Sequence, residues 1–224
     1  MNGASQLAKA GRPKEPWKRS HIIQSAIPLF REHGLWSVGV QELADAAGVS
    51  RASIHYHFSG VNGVILGVAE QGFQLMYTLR RSAVDKLGDP RSKLVALIRM
   101  GIPEILPPEY IVMYESIGVF RANPDSLPLL QGLSAKQLEL YVSVIKEGVD
   151  AGFFFPREQI ESIGKNLLSI EDAWGIYLTL GTEQNSEETR QRMLSYASLA
   201  LKCDLSKFSR DAVADRPAAT GLAS

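Results

Sequence analysis

The stretch from Val40 to Phe58, VQELADAAGVSRASIHYHF, decides the fold of the N-terminal part of this chain. Gly48 stands where a helix favours a left-handed C-terminal residue, and Ser50 is placed to cap a second helix. In that second helix, Ile54 and Phe58 are one turn apart and form an apolar stripe. The first helix carries apolar residues at the same spacing: Val40, Leu43, Ala44 and Ala47. Two short helices joined by a tight corner predict a helix-turn-helix.

The second helix of this pair is predicted to present its polar side chains to double-stranded DNA. Because Ile54 and Phe58 must face the first helix, the other side chains are left exposed, and an α-helix fits the major groove. Hydroxyl and phenol groups can bond to base edges, and basic groups donate to phosphate oxygens. The predicted contacts are Gln41, Ser50, Arg51, Ala52, Ser53, His55, Tyr56 and His57. A plain helical hairpin in an all-α core is the alternative interpretation.

A basic arm precedes this motif. Residues 1–19 hold five basic side chains against only Glu15, although the whole chain is balanced at 24 basic and 24 acidic residues. Local potential, rather than net charge, steers a protein to DNA. The segment GRPK at 11–14 is similar to basic arms that lie in minor grooves, although an ordinary solvated terminus has the same composition. The arm residues predicted to bind DNA are Arg12, Lys14, Lys18 and Arg19.

Composition and motifs restrict the remaining function classes. The single cysteine, Cys203, excludes an internal disulfide and a cysteine zinc cage, and it fits a reducing compartment. There is neither the apolar core of a signal peptide nor a run of membrane-spanning length, so we expect a cytoplasmic protein. The sequence lacks the motifs of nucleotide-binding loops, HExxH metalloproteases and nucleophile elbows. His55 and His57 point to different faces of one helix, so they cannot bind one metal ion together. We therefore expect no enzyme, no metal site and no cofactor.

The rest of the chain predicts an all-α fold, because proline and glycine breaks separate helical segments and no alternating strand pattern occurs. At 224 residues the chain has room for a DNA-binding head and a larger helical body. We predict a flexible arm at 1–19, a three-helix DNA-binding domain at 20–66, a helical body at 67–204 and a disordered tail at 205–224.

Two sets of side chains in the body suggest binding surfaces. The last two helices are more apolar than one stripe each requires, which favours either a two-fold four-helix bundle or packing within the subunit. The predicted dimer residues are Ile163, Leu167, Ile170, Leu178, Leu194 and Leu201. Aromatic and methionine side chains in the body form a candidate ligand cavity, although such side chains more often belong to an ordinary hydrophobic core. Glu115 or Asp172 could bind a polar or cationic group of the ligand. This ligand set is Met76, Tyr77, Tyr110, Met113, Tyr114, Phe120, Trp174 and Tyr177.

The region from about Ser20 to Val68 resembles the DNA-binding domain of TetR-family transcriptional regulators. Two positions depart from the family pattern, because His55 replaces a common tyrosine and Val61 replaces a common lysine, both typical phosphate contacts. The body is similar to that of choline and betaine regulators through GVDAGFF and IEDAWGIYLTLG. The residues at the family's spacing are Ala26, Leu29, Phe30, Gly34, Val40, Leu43, Ala44, Ala47, Gly48, Val49, Ser50, Ile54, His57 and Phe58.

This resemblance implies a homodimeric regulator, usually a repressor, that dimerises through its two C-terminal helices and binds a palindromic operator. It also implies that the fourth helix couples a small-molecule effector site to the DNA-binding head. The alternative is a helical interaction or adaptor protein with a degenerate head, which His55 and Val61 make conceivable.

Overall fold

The computed structural model describes residues 16–182 and 185–208, and all regular secondary structure in these ranges is helical. This confirms the predicted all-α fold. The chain divides into two compact units, and the boundary falls between Val64 and Ile65. Arg12 and Lys14 lie outside the described residues. In the described part of the chain, none of the helices has the combination of length and apolar character that crossing a bilayer requires.

The first unit is a three-helix domain. Its helices are α1 (Pro16–His33), α2 (Val40–Ala46) and α3 (Arg51–Phe58), followed by the start of α4. Helix α1 begins four residues before the predicted Ser20, because proline is readily accepted in a first turn, where its missing N–H has no helical partner. Pro28 lies within α1 on its exposed side. The buried core gathers one face of each helix: Ile22, Ile23, Ala26, Phe30, Leu43, Ala44, Ile54 and Phe58.

The second unit holds the remaining helices. These are α4 (Val61–Asp85, which begins in the first unit), α5 (Pro90–Gly101), α6 (Pro108–Glu115), α7 (Ile117–Ala122), α8 (Leu127–Asp150), α9 (Ile160–Thr179) and α10 (Ser186–Leu201). Short 3-10 turns follow at Pro124–Ser126 and Ser206–Phe208. The main core is formed by the buried faces of α5, α8, α9 and α10, together with Phe154.

Ser116 divides a segment that the sequence pattern would allow as one helix. Its hydroxyl donates to Met113 O at 2.7 Å, and its carbonyl accepts from Val119 N at 2.8 Å in a tighter i to i+3 turn. Serine side chains compete in this way with the regular helical ladder. The result is two short helices, α6 and α7, which meet at a corner.

The predicted disordered tail is wrong for residues 205–208. Leu205 is fully buried in the main core, and the ring of Phe208 lies 4.5 Å from the Arg91 guanidinium. Arg91 also lies 4.0 Å from the Phe153 ring, so it packs against two aromatic rings. These contacts with the body provide the apolar burial that the sequence pattern did not indicate. Residues 209–224 lie outside the described part of the chain.

Candidate nucleic-acid interface and buried polar site

Backbone turns hold α3 in a fixed position. Gly48 adopts a left-handed φ of 60° after α2, which a side chain would disfavour. The Ser50 hydroxyl accepts a hydrogen bond from Ser53 N at 3.2 Å and caps the start of α3. Ser59, also left-handed at φ 58°, ends the helix. The predicted helix-turn-helix is therefore confirmed, including its N-cap at Ser50, and Gly39 is the N-cap of α2.

The exposed face of α3 is polar, as its sequence pattern predicted. Ile54 and Phe58 are buried, and Ser53 and His57 are partly buried. The phenol ring of Tyr56, 47% exposed, packs edge-to-face on His57 with ring centroids 5.1 Å apart. The predicted DNA contacts on α3 that are exposed are Arg51, Ala52, His55 and Tyr56.

Two of the predicted DNA contacts are joined to each other across the corner. The Arg51 Nε donates to the Gln41 side-chain oxygen, and Gln41 Nε2 donates to Asp45 Oδ1 at 2.6 Å. Gln41 and Arg51 are both exposed. This chain of hydrogen bonds orients the start of α3 relative to α2.

The described basic residues of α1 lie near aromatic rings. The Arg19 guanidinium is 5.2 Å from the Phe58 ring, and Lys18 Nζ is 5.4 Å from the Trp17 ring. His21, which was not among the predicted contacts, lies 3.0 Å from Ala47 O and joins α1 to the end of α2. Arg19 is thus placed beside the last turn of α3, on the same unit as the exposed polar face.

A buried ion pair lies at the centre of the second unit. Arg80 on α4 and Glu171 on α9 are each 1% exposed, and Arg80 Nη1 lies 2.7 Å from Glu171 Oε1. Arg80 Nη2 donates to Glu171 Oε2 at 3.1 Å, so the pair is bidentate. Such a planar pairing is the geometry that arginine forms best with carboxylates. Neither residue was among the predicted site residues.

Residues from three further positions complete this polar site. The Tyr141 hydroxyl on α8 donates to Glu171 Oε2 at 2.8 Å, and Arg80 Nη1 donates to Gln137 Oε1 at 3.2 Å. Burial, followed by the negative charge of Glu171, raises the pKa of Tyr141 well above its ordinary value, so the phenol remains a donor. On α5, Gly101 leaves room for the carboxylate, because an added Cβ would lie 2.2 Å from Glu171 Oε2. The site therefore connects α4, α5, α8 and α9.

Part of the predicted ligand set gathers beside this site. Gly175 on α9 admits the Tyr114 ring, because an added Cβ would lie 2.1 Å from Tyr114 Cζ. Tyr77 packs against the main core instead, Phe120 is buried outside the group, and Tyr177 is exposed. We call the gathered residues the aromatic cluster: Met76, Tyr110, Met113 and Tyr114.

The predicted dimer residues pack against the subunit's own core, so the dimer interface remains a prediction. Ile163, Leu167, Leu194 and Leu201 are buried, and Ile170 and Leu178 pack against the same core partly buried. Helices α9 and α10 are apolar on more than one face, so the periodicity could not tell which face points inward. The large apolar side chains that remain exposed here are Ile176 and Tyr177 on α9, Leu180 directly after α9, and Leu199 on α10.

A groove runs between α9 and α10 next to these exposed residues. Its volume is about 650 Å³, and the indole Nε1 of the buried Trp174 has no hydrogen-bond partner among the described atoms. On the α10 side of the groove, Arg192 Nη2 donates to Thr189 Oγ1 at 3.1 Å. The lining residues are Ser169, Ile170, Ala173, Trp174, Tyr177, Thr182, Thr189 and Arg192.

Comparison with known proteins agrees with this geometry. The family described as "Bacterial regulatory proteins, tetR family" matches residues 22–65. The HTH-type transcriptional repressor KstR2 of Mycobacterium tuberculosis is 21% identical over 147 residues, which cover 65% of this chain and 74% of the repressor. A TetR transcription regulator from Haloarcula marismortui has a TM-score of 0.74 at 20% identity, and the match covers 84% of this chain and 100% of the regulator. A regulator from Saccharomonospora viridis in complex with choline has a TM-score of 0.70 at 20% identity, covering 81% and 96%.

A rigid helix-turn-helix with an exposed polar second helix defines a DNA-binding protein rather than an enzyme. The family match falls on this same unit, and the similar proteins are transcriptional regulators. Residues 22–65 therefore match the DNA-binding domain of the bacterial TetR regulators, and the chain as a whole is similar to transcriptional regulators of that family.

Proposed function

We propose that the protein is a cytoplasmic repressor that binds a palindromic operator as a homodimer and releases it when a small-molecule effector binds the body. The observation that carries this proposal is the exposed polar face of α3, with Arg51, Ala52, His55 and Tyr56 on a helix capped at both ends. A repressor, KstR2, is among the similar proteins. Repression by an operator-bound dimer is the function these observations support best.

On the operator, α3 enters the major groove and Tyr56 contacts base edges with its phenol and ring. His55 and Arg51 donate to phosphates near the helix start, and Arg19 approaches the backbone from α1. The basic arm, with Arg12 and Lys14, contributes charge that does not depend on sequence. In this arrangement Gln41 positions Arg51, to which it is already hydrogen bonded.

The dimer surface is the exposed apolar face of α9 and α10 rather than the residues predicted from sequence. Leu180 and Leu199 are 69% and 71% exposed, and Ile176 and Tyr177 lie on the same two helices. When a second copy covers leucines this exposed, their burial stabilises the dimer. A two-fold pair built in this way carries two recognition helices about 34 Å apart, one turn of DNA.

The effector acts through α4, which runs without a break from Val61 to Asp85 and carries Met76 and Arg80. Effector binding in the body favours a position of α4 in which the two recognition helices no longer match both half-sites. The choline complex of the similar Saccharomonospora viridis regulator supports a small-molecule site in a body of this fold.

Operator binding is tested with a duplex selected from a random pool by the full-length protein. Fluorescence anisotropy should give an affinity for this duplex that far exceeds that for random DNA and falls steeply with salt. Tyr56→Ala should weaken operator binding by about 1–3 kcal/mol and leave random-duplex binding unchanged. Arg12→Ala should weaken both duplexes alike.

Phe155→Ala is the matched control, because Phe155 is an exposed aromatic residue in the second unit. It should bind the operator like the parent protein. Parental operator affinity in Tyr56→Ala would contradict the assignment of α3 as the reading face. Equal affinity of the parent for selected and random duplexes would contradict the regulator proposal itself.

A further inference from the structure

Arg80 has one hydrogen-bond donor that no described atom accepts. Both terminal nitrogens are engaged, because Nη1 donates to Gln137 and Glu171, and Nη2 donates to Glu171 and to Leu97 O at 3.4 Å. The Nε–H remains without an acceptor, although the side chain is 1% exposed. A buried unmet donor on a charged group is costly, and such groups in native proteins usually have a partner.

The two residues of the ion pair are each one helical turn from a residue that belongs to the aromatic cluster or contacts it. Arg80 is one helical turn from Met76 on α4, and Glu171 is one turn from Gly175, which touches Tyr114, on α9. Burial raises the pKa of Tyr110, and the positive charge of Arg80 partly opposes that rise. The Tyr110 phenol and the Arg80 guanidinium therefore interact electrostatically. The ion pair and the aromatic cluster are therefore parts of one continuous region.

The cluster is suited to an apolar guest. Two of its four members are methionines, whose unbranched side chains adapt to different shapes at little energetic cost. Its two tyrosines add flat rings that contact apolar groups over a large area. Since α6 is only eight residues long, begins at a proline and follows a loop at 103–107, the tyrosine-bearing side of the cluster is built from short elements.

The charges already present select against a charged guest. Glu171 neutralises Arg80, so a carboxylate placed at Nε would add a second anion beside Glu171 and near Asp172. Burial, and then repulsion from Glu171, already raise the pKa of Asp172 to about 7. A cationic group would face the Arg80 charge and would offer no acceptor to its Nε–H. An uncharged acceptor meets the donor without either penalty.

We propose that the effector is an uncharged, mainly apolar molecule whose carbonyl oxygen accepts the Arg80 Nε–H, while its apolar part lies in the aromatic cluster. This inference rests on the effector control proposed above and names the chemical class of the effector. The carbonyl oxygen completes the hydrogen bonds of Arg80, and Met76, Met113, Tyr110 and Tyr114 surround the rest of the molecule.

The test uses full-length protein and four probes that share a phenyl ring and a short chain: 4-phenyl-2-butanone, butylbenzene, 3-phenylpropanoate and (3-phenylpropyl)trimethylammonium. The Arg80 ¹⁵Nε–H resonance reports each titration. The ketone should shift this resonance saturably and bind roughly tenfold or more tightly than butylbenzene, as expected for a hydrogen bond to a charged donor. The carboxylate and the ammonium compound should bind more weakly than the ketone.

The double variant Arg80→Met with Glu171→Gln removes the donor and leaves no unpaired charge at the buried site, so it is expected to fold. It also assigns the Arg80 resonance by its disappearance. In this variant the ketone and butylbenzene should bind with equal affinity. Equal affinities in the parent protein, an unshifted Nε–H resonance at saturating ketone, or tightest binding by either charged probe would overturn the proposal.

Failure of this inference is distinguishable from failure of effector control. If the ketone shifts the Arg80 resonance but operator affinity does not change, the result supports the carbonyl site and contradicts effector control. If a charged probe releases the operator without shifting the Arg80 resonance, the result supports effector control and contradicts the carbonyl assignment.

Discussion

The two units of this protein distribute polar and apolar side chains in opposite ways. In the helix-turn-helix unit, Ile54 and Phe58 are buried while Arg51 and Tyr56 are exposed. In the body, a charged pair is buried and leucines on α9 and α10 are exposed. The first arrangement is what folding alone favours, whereas each reversal in the body requires a partner to offset it. These departures from the simple pattern are the features on which the binding proposals for the body rest.

The largest expected effect comes from breaking the buried pair. Arg80→Met leaves the Glu171 carboxylate buried without its cation and should lower the free energy of unfolding by about 3–5 kcal/mol. Urea denaturation followed by circular dichroism measures this difference. Arg81→Met is the neighbouring control, because Arg81 forms an exposed pair with Asp85 and its loss should change stability little.

Replacing both Arg80 and Glu171 by uncharged residues tests whether the unpaired charge causes the loss of stability. Arg80→Met with Glu171→Gln should recover most of the lost stability, since no isolated charge remains. If the double variant were as unstable as Arg80→Met alone, the penalty would arise from packing rather than from an unpaired charge.

The exposed leucines give the next largest effect. Leu180→Glu, present twice in a two-fold dimer, should weaken dimerisation by at least about a hundredfold, roughly 2.7 kcal/mol. Analytical ultracentrifugation over a dilution series measures the dissociation constant. Ile105→Glu is the control, because Ile105 is 86% exposed on the loop between α5 and α6. A dimer that tolerates Leu180→Glu but not Ile105→Glu would move the interface away from α9.

The contact between α6 and α9 depends on a glycine. Gly175→Ala places a methyl group against the Tyr114 ring and should destabilise the body by about 2 kcal/mol. Gly132→Ala on α8, where no described atom lies within 4 Å of the added carbon, should instead stabilise by about 0.5–1 kcal/mol through helix propensity. Thermal unfolding of both variants checks the opposite signs, and two equal losses would refute the packing explanation.

The helix-turn-helix unit should show a smaller effect at its cap. Ser50→Ala removes the acceptor for Ser53 N–H and should cost about 1 kcal/mol of stability. Ser50→Asn retains a capping acceptor and should remain close to the parent. Differential scanning calorimetry compares the three proteins, and a loss in Ser50→Asn equal to that in Ser50→Ala would show that capping is not the cause.

Asp172 should give a weak pH dependence. Its pKa is raised to about 7 from 3.8, so the folded chain keeps a proton that the unfolded chain has lost. Its stabilising contribution is thus complete below about pH 4 and is lost as pH rises through about 7. Although nearby protein atoms partly shield its carboxyl from water, Asp172 as a whole residue is exposed, so screening by solvent keeps the effect small. Asp172→Asn should flatten the urea stability profile between pH 4 and 8, and an unchanged slope would assign the dependence elsewhere.

The helix-turn-helix could be predicted closely because its information is local. Gly48, Ser50, Ile54 and Phe58 lie within eleven residues, and each acts through spacing or backbone conformation. The start of α1 and residues 205–208 were misjudged because their placement depends on end effects and tertiary contacts. Phe208, for example, packs on Arg91, more than a hundred residues earlier in the chain.

The site in the body was harder to predict, although one signal was present. On α4 the apolar row Val68, Gly72, Met76 and Val84 is interrupted by Arg80, and on α9 Glu171 interrupts the row of Ile163 and Leu167. Opposite charges in two buried stripes suggest an ion pair, but sequence alone does not bring the two stripes together. Likewise, a helix that is apolar on several faces does not reveal which one faces outward, so the predicted dimer residues include side chains that the subunit buries in its own core.

The Arg80–Glu171 pair also has an evolutionary consequence. The two positions are 91 residues apart, yet a substitution that removes the charge at either one leaves the other charge unpaired in the interior. Neutral drift to an uncharged residue is therefore opposed at each position separately, and descendants should inherit both charges or lose both together.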